Sequence, residues 1–270
     1  MLDTSQTAAI RMQRAKGRGH IGVRRVGDRV KVCDLHQSGS AKVMVPRAHH
    51  STAEAVFLNT AGGVTGGDEF AFSAELGPQT TLSLTTQTAE RAYASTGDAG
   101  RINVDLTVGQ GAHLNWLPQE TILFDNAHLR RKTHIDLLGD ATLLAIEIVV
   151  LGRAAMGETP TRFHLWDQRS VWRNGSPVWI DPMEVDASTA AAAAGLGCAR
   201  AAVTVVYVGA DAEDRPRPTA SGLHATAWDG RMVVRGVFPD LWPLKQALIP
   251  YLKMLKASID GGPLPRVWQM

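Results

Sequence analysis

The chain has 270 residues, 44% of them hydrophobic and 20% charged, which argues against disorder and allows a buried core without metals or disulfides. Twenty-eight Lys and Arg against 26 Asp and Glu leave a formal charge of +2, so there is no electrostatic footprint for nucleic acid or an acidic membrane. With two cysteines, Cys33 and Cys198, neither a disulfide framework nor a thiolate zinc site is expected, and a cytoplasmic protein is.

Residues 1–20 read as a flexible basic leader with Arg11, Arg14, Lys16 and Arg18, lacking the apolar stretch of a signal peptide. Residues 21–270 read as one mostly-β domain. Cys33-x-x-His36 and His49-His50 are pairs without the further ligands of a closed tetrahedral site. The stretch Asn59-Thr60-Ala61-Gly62-Gly63-Val64-Thr65-Gly66-Gly67-Asp68 is no phosphate loop, because Asp68 stands where a phosphate-binding Lys belongs. Its glycines are expected to supply positive φ in a tight turn.

From residue 70 to 150 the hydrophobic period is two. Phe70, Phe72, Ala74 and Leu76 alternate with more polar positions, as do Ile102, Val104, Leu106 and Val108, which predicts strands with one face in a core. The run Leu143–Leu151 is too short to cross a membrane and reads as a buried strand interrupted by Glu147. Gly77–Leu84 resembles Gly109–Trp116, 32 residues on, and more weakly Gly139–Ile146, 30 residues further. Such spacing predicts stacked strand–turn–strand units, a β-helix-like stack. Further strands are expected at Val203–Val208 and Met232–Val237, and one or two helical turns at Ala190–Ala194. Near the end, Leu244, Leu248, Leu252 and Leu255 predict an amphipathic helix, N-capped by Asp240, with Pro243 in its first turn and Pro250 kinking or breaking it.

The chemically informative residues are acids set in apolar text: Asp68, Glu90, Glu120, Asp125, Glu147 and Glu158. A buried carboxylate must be paired, hydrogen-bonded or hydrated. Arg91 and Arg153 are candidate partners, and the alternative is an acid lining to a wet cavity. Glu147 is the weaker candidate, because its strand position could face solvent.

The text around these acids resembles the UreD (UreH) family of urease accessory proteins. The resemblance rests on Phe57–Asp68, Thr85–Tyr93, Trp116–Asp125, Leu151–Glu158 and the ending Pro265-Arg266-Val267-Trp268. It is poor between Ala187 and Ala202. The resemblance implies a non-enzymatic protein with a mostly-β, β-helix-like fold and few helices. It also implies binding to UreF, recruitment of UreG through UreF, and docking of the complex on apo-urease to install nickel, with a passage proposed to carry the ion.

Embedded acids suit such cargo. Nickel(II) accepts oxygen ligands, and spaced carboxylates with water hold it less tightly than a thiolate or imidazole cage. The expectation is therefore that Asp68, Glu90, Glu120, Asp125 and Glu158 line or gate a transient nickel route, with no tightly bound cofactor. A pure protein–protein scaffold is the second reading. A β-helical carbohydrate-active enzyme using paired carboxylates is a distant third.

Overall fold

A computed structural model describes residues 13–46 and 52–269. His49, His50 and Arg11 lie outside the described residues. The described residues start with two antiparallel pairs, β1 (Lys16–Val26) with β2 (Arg29–Gly39) and β3 (Ala41–Met44) with β4 (Ala53–Asn59). It then coils between two sheets. Strand β4 leads to β5 (Glu69–Leu76) in the opposite sheet. The next coil runs from β6 (Thr81–Thr86) through the short β7 (Glu90–Ala92) to β8 (Gly100–Val108). A third runs from β9 (His113–Leu117) through β10 (Thr121–Leu123) to β11 (Ala127–Leu137), and a fourth from β12 (Thr142–Leu151) to β13 (Phe163–Arg173). Antiparallel strands close the stack: β14 (Ser176–Asp186), then after helix α1 (Ala187–Ala191) the strands β15 (Ala201–Val208), β16 (Leu223–Trp228) and β17 (Arg231–Phe238), followed by helix α2 (Leu241–Asp260).

Among the described residues one sheet has seven strands in the order β14-β13-β11-β8-β5-β1-β2. The other has ten, its main path being β16-β17-β15-β12-β9-β6-β4-β3, with β7 and β10 joined beside β12. Within the coil all neighbours are parallel, so the repeats seen in the sequence are the rungs of a β-helix-like stack. Their register is set by side chains: Leu82 pairs with Leu114, and Leu114 with Leu143. The third copy is therefore offset by 29 residues and not 30, with Leu138 in the place of Gly109. Both close the same turn, Leu138 N donating to Val108 O and Gly109 N to Leu76 O.

The alternating residues face as expected: Phe70, Phe72, Ala74 and Leu76 are buried, with Ile102, Val104, Leu106 and Val108 beside them between the sheets. The ten-stranded sheet is covered on its other side too. Leu144, Ile146, Ile148 and Val150 of β12 meet Leu244, Leu248, Leu252 and Leu255 of α2 in a second apolar layer. Each of those helix leucines is fully buried, a contribution of roughly 1.5–3 kcal/mol apiece. This explains the near-continuous apolar text of β12, which a sheet covered on both faces requires.

Two expectations need correcting. Residues 16–20 are not leader: Lys16–His20 form the start of β1, hydrogen-bonded between β2 and β5. Pro250 does not break α2, which is continuous from Leu241 to Asp260. The bond that Pro250 forfeits is outweighed by the leucine seam on both sides of it. Asp240 accepts from Leu241 N and caps the helix as expected. The poorly matching segment after Ala187 holds α1, whose Asp186 and Thr189 form a reciprocal capping box. Among the described residues no helix is long and apolar enough to cross a membrane.

Candidate functional site

The four internal stretches that carry the family resemblance are successive turns at one end of the coil. Each follows a strand of the ten-stranded sheet, and backbone bonds stack them: Val64 N donates to Arg91 O, Phe124 N to Ala92 O, Glu90 N to Glu120 O and Gly152 N to Leu123 O. Glycine is required in the first turn. Gly63 has φ 154°, and a Cβ there would lie 2.3 Å from the Tyr93 ring.

The five sequence-predicted acids sit on these turns with different partners. Asp68 Oδ1 accepts from Ala15 N (2.7 Å) and Oδ2 from Thr65 N (2.9 Å), pinning the glycine turn to the start of the chain's first strand. Asp125 Oδ1 accepts from Thr161 N and Arg162 N at 2.7 and 3.0 Å, and these N–H groups hold its carboxyl below the usual range. Glu158 Oε2 lies 2.8 Å from Arg153 Nε, and that bond lowers its pKa. Its Oε1 also accepts from Asp125 N (3.4 Å), so Asp125 and Glu158 are brought together. Glu120, buried, meets Lys245 Nζ of α2 at 2.8 Å. Beside it Leu117 O accepts from Trp268 Nε1 (2.9 Å), so residues far along the chain lock this turn.

Glu90 differs from the other four. Its carboxylate oxygens accept from Asn59 Nδ2 at 3.2 and 3.3 Å, and Oε1 also accepts from Arg91 N (3.2 Å). The Arg91 backbone, not a guanidinium ion pair, meets this acid. Burial pushes its pKa up to about 7, against the lowering effect of Asn59, the Arg91 N–H and the more distant Arg131 charge. It lines a recess of about 50 Å³ with Asn59, Gly62, Gly63 and Thr86.

Behind the recess is a buried charged network that the sequence reading missed. Arg131 of β11 points inward and makes a bidentate pair with Asp167 of β13, Nε to Oδ1 at 3.0 Å and Nη2 to Oδ2 at 2.7 Å. Its Nη1 donates to Thr121 Oγ1 (2.9 Å) and lies 2.8 Å from Glu147 Oε2. Arg169 Nη2 contacts Asp181 Oδ2 at 2.8 Å, and Asp181 Oδ1 meets Arg235 Nη2 at 2.6 Å. Burial acts to raise Asp167, but the shared guanidinium outweighs it and holds that acid ionised. For Glu147 burial prevails, helped by the neighbouring Asp167 charge, and its pKa is raised despite Arg131. Glu147 therefore does not face solvent: it is 6% exposed and points between the sheets, because its parity on β12 is that of Leu143 and Val149.

These groups form a polar thread across the interior. It starts at the Glu90 recess and passes Thr121, Arg131, Glu147 and Asp167. Beside them a cavity of about 20 Å³, lined by Glu147, Arg169, Thr133 and Trp116, has room for about one water. The thread ends at Asp181 and Arg235 on a groove of about 780 Å³ that also contains Glu184 and His224. Parity was the available signal: Arg131 shares the inward positions of Leu129 and Ile135, and Asp167 and Arg169 those of Leu165 and Val171.

Comparison with known proteins gives the family. The family model described as UreD urease accessory protein matches residues 15–269. The chain is similar to the urease accessory protein UreD of Dinoroseobacter shibae, 46% identical over 96% of this chain and 94% of that protein. It is also similar to UreD of Paracoccus denitrificans (41% identical; 97% and 95% covered) and of Rhizobium leguminosarum bv. viciae (38% identical; 99% and 100% covered). A stacked coil whose motif-bearing turns gather at one end, matched from its first strand to its last residues, thus belongs to the UreD family of urease accessory proteins.

Proposed function

We propose that this chain is a cytoplasmic urease maturation factor that joins UreF, and through it UreG, on apo-urease, and that it passes nickel(II) along its interior carboxylates. The observation that carries the passage is the polar thread from the Glu90 recess to the Asp181 groove. Glu90 is the entrance ligand in this reading: an acid with a pKa of about 7 gives up its proton readily when a dication arrives. At about 4 Å and an effective dielectric of about 20, each carboxylate offers the ion on the order of 4 kcal/mol, and Arg131 and Arg169 offset part of that attraction. Asp68, Glu120, Asp125 and Glu158 act here by fixing the turns that frame the entrance.

The test uses Glu90→Gln and Asp181→Asn in cells making urease and all accessory proteins. Assembly is followed by copurification of UreF, UreG and apo-urease, and nickel per urease by mass spectrometry. Normal assembly with reduced nickel is the expected result. Unchanged nickel in both variants removes the passage.

A scaffold without nickel transit is favoured by one specific observation. Beyond Glu90, the carboxylates of the thread already face guanidinium groups within 2.6–3.0 Å. The same experiment separates the two readings.

A further inference from the structure

The outer face of the seven-stranded sheet, on the far side of β11 and β13 from Arg131 and Asp167, carries a second arrangement of titratable groups. His128 and His164 are in-register neighbours on these parallel strands. Nε2 of His128 lies 3.3 Å from Nδ1 of His164, and Nε2 of His164 lies 2.8 Å from Oε1 of Glu184 on β14. A carboxylate only accepts, so with a neutral ring His164 carries its proton on Nε2 and turns the Nδ1 lone pair toward His128. Nitrogens 3.3 Å apart, each about 2.05 Å from a shared ion, subtend about 107°, close to the tetrahedral angle. The carboxylate on the far nitrogen of His164 is the kind of partner that orients a metal-bound imidazole and raises its basicity.

We propose that His128 Nε2 and His164 Nδ1 chelate a first-row divalent transition cation, with Glu184 positioning His164 and water filling the remaining coordination places. His128 takes part by moving its proton from Nε2 to Nδ1. Among the described residues no group of three or more His, Cys, Asp and Glu side chains could hold a metal, so this is an open, exchangeable chelate and not a cage. The His164 side chain is 41% exposed, which leaves the ion a path from solvent. Two imidazoles favour nickel, copper or zinc and give no advantage to magnesium or calcium. The site is independent of the interior passage.

The experiment is calorimetric titration of the full chain at neutral pH with Zn²⁺, Ni²⁺ and Mg²⁺ separately, alongside NMR of the histidine rings. Zinc and nickel should bind with no matching heat for magnesium, and Ni²⁺ should broaden the His128 and His164 ring signals first. His128→Ala and His164→Ala should each weaken the tightest binding on the order of tenfold or more, and Glu184→Gln about 10–100-fold, all with unchanged far-UV circular dichroism. The assignment is overturned if the double variant His128→Ala/His164→Ala binds zinc with wild-type affinity and stoichiometry. It is equally overturned if nickel broadens only other histidines.

Discussion

The molecule holds carboxylates in two settings a few strands apart, Glu147 and Asp167 buried and Glu90 half-buried, and they resolve the same electrostatic problem differently. In the Arg131 network, Asp167 and Glu147 share a guanidinium across strands of both sheets. At the recess, Glu90 receives a side-chain amide and a backbone N–H, while Arg131 acts on it only through space. The first arrangement holds Asp167 ionised and ties the sheets together. The second leaves an acid whose charge depends on its surroundings near neutral pH. Partner identity, and not burial alone, separates a structural carboxylate from one that can respond.

The sharpest way to break this contrast is Arg131→Met. It strands two buried acids without their cation, and the expected loss is about 3–5 kcal/mol, read as a fall in urea midpoint above pH 7. Lowering the pH should recover part of it, as Glu147 and Asp167 take up protons. A smaller effect comes from Glu90→Gln. Folding raises the Glu90 pKa from 4.5 to about 7, so between those values the folded state keeps a proton that the unfolded chain has released. Wild-type stability therefore falls as pH rises through that window, by up to about 3 kcal/mol from this group. The variant lacks that slope: the two proteins should converge near pH 4.5 and diverge most at pH 7–8 in parallel denaturation curves. Parallel curves at every pH would show that Glu90 carries its charge without cost. The smallest effect belongs to Glu158→Gln, whose partner Arg153 stands in solvent. Its midpoint should fall by no more than the equivalent of about 1 kcal/mol; no fall at all would mean that Glu158 does not help to fix its turn.

Much of the architecture was legible because the coil repeats its turns and its alternation. Gly77 and Gly109 announced the rungs, and Phe70–Leu76 showed which side faces inward. The one-residue error in the third rung arose because Leu138 does there what glycine does in the second, closing the turn with a backbone bond that any residue can donate. The face of Glu147 stayed open in the sequence because β12 is apolar on both sides, so alternation there carried no information until α2 was in place. Asp68 could be read as part of a turn from its glycines alone. Arg131, Asp167 and Arg169 were overlooked because a charged residue within a strand reads as solvent-facing unless its parity is followed. Even then, their meeting depends on strand neighbours 36 positions apart, Arg131 beside Asp167. His128 and His164 are in the same situation on the opposite face.

The bond from Trp268 to Leu117 spans 151 positions, and the Lys245 contact to Glu120 spans nearly as many. During synthesis the rungs can stack one after another as they emerge, each on a finished neighbour. The turn holding Glu120 is different: its outer clasp is made only after α2 and the segment beyond it have been translated. Early rungs can thus be ordered while this turn is still unfastened, and a chain cut short after β17 would present it ajar.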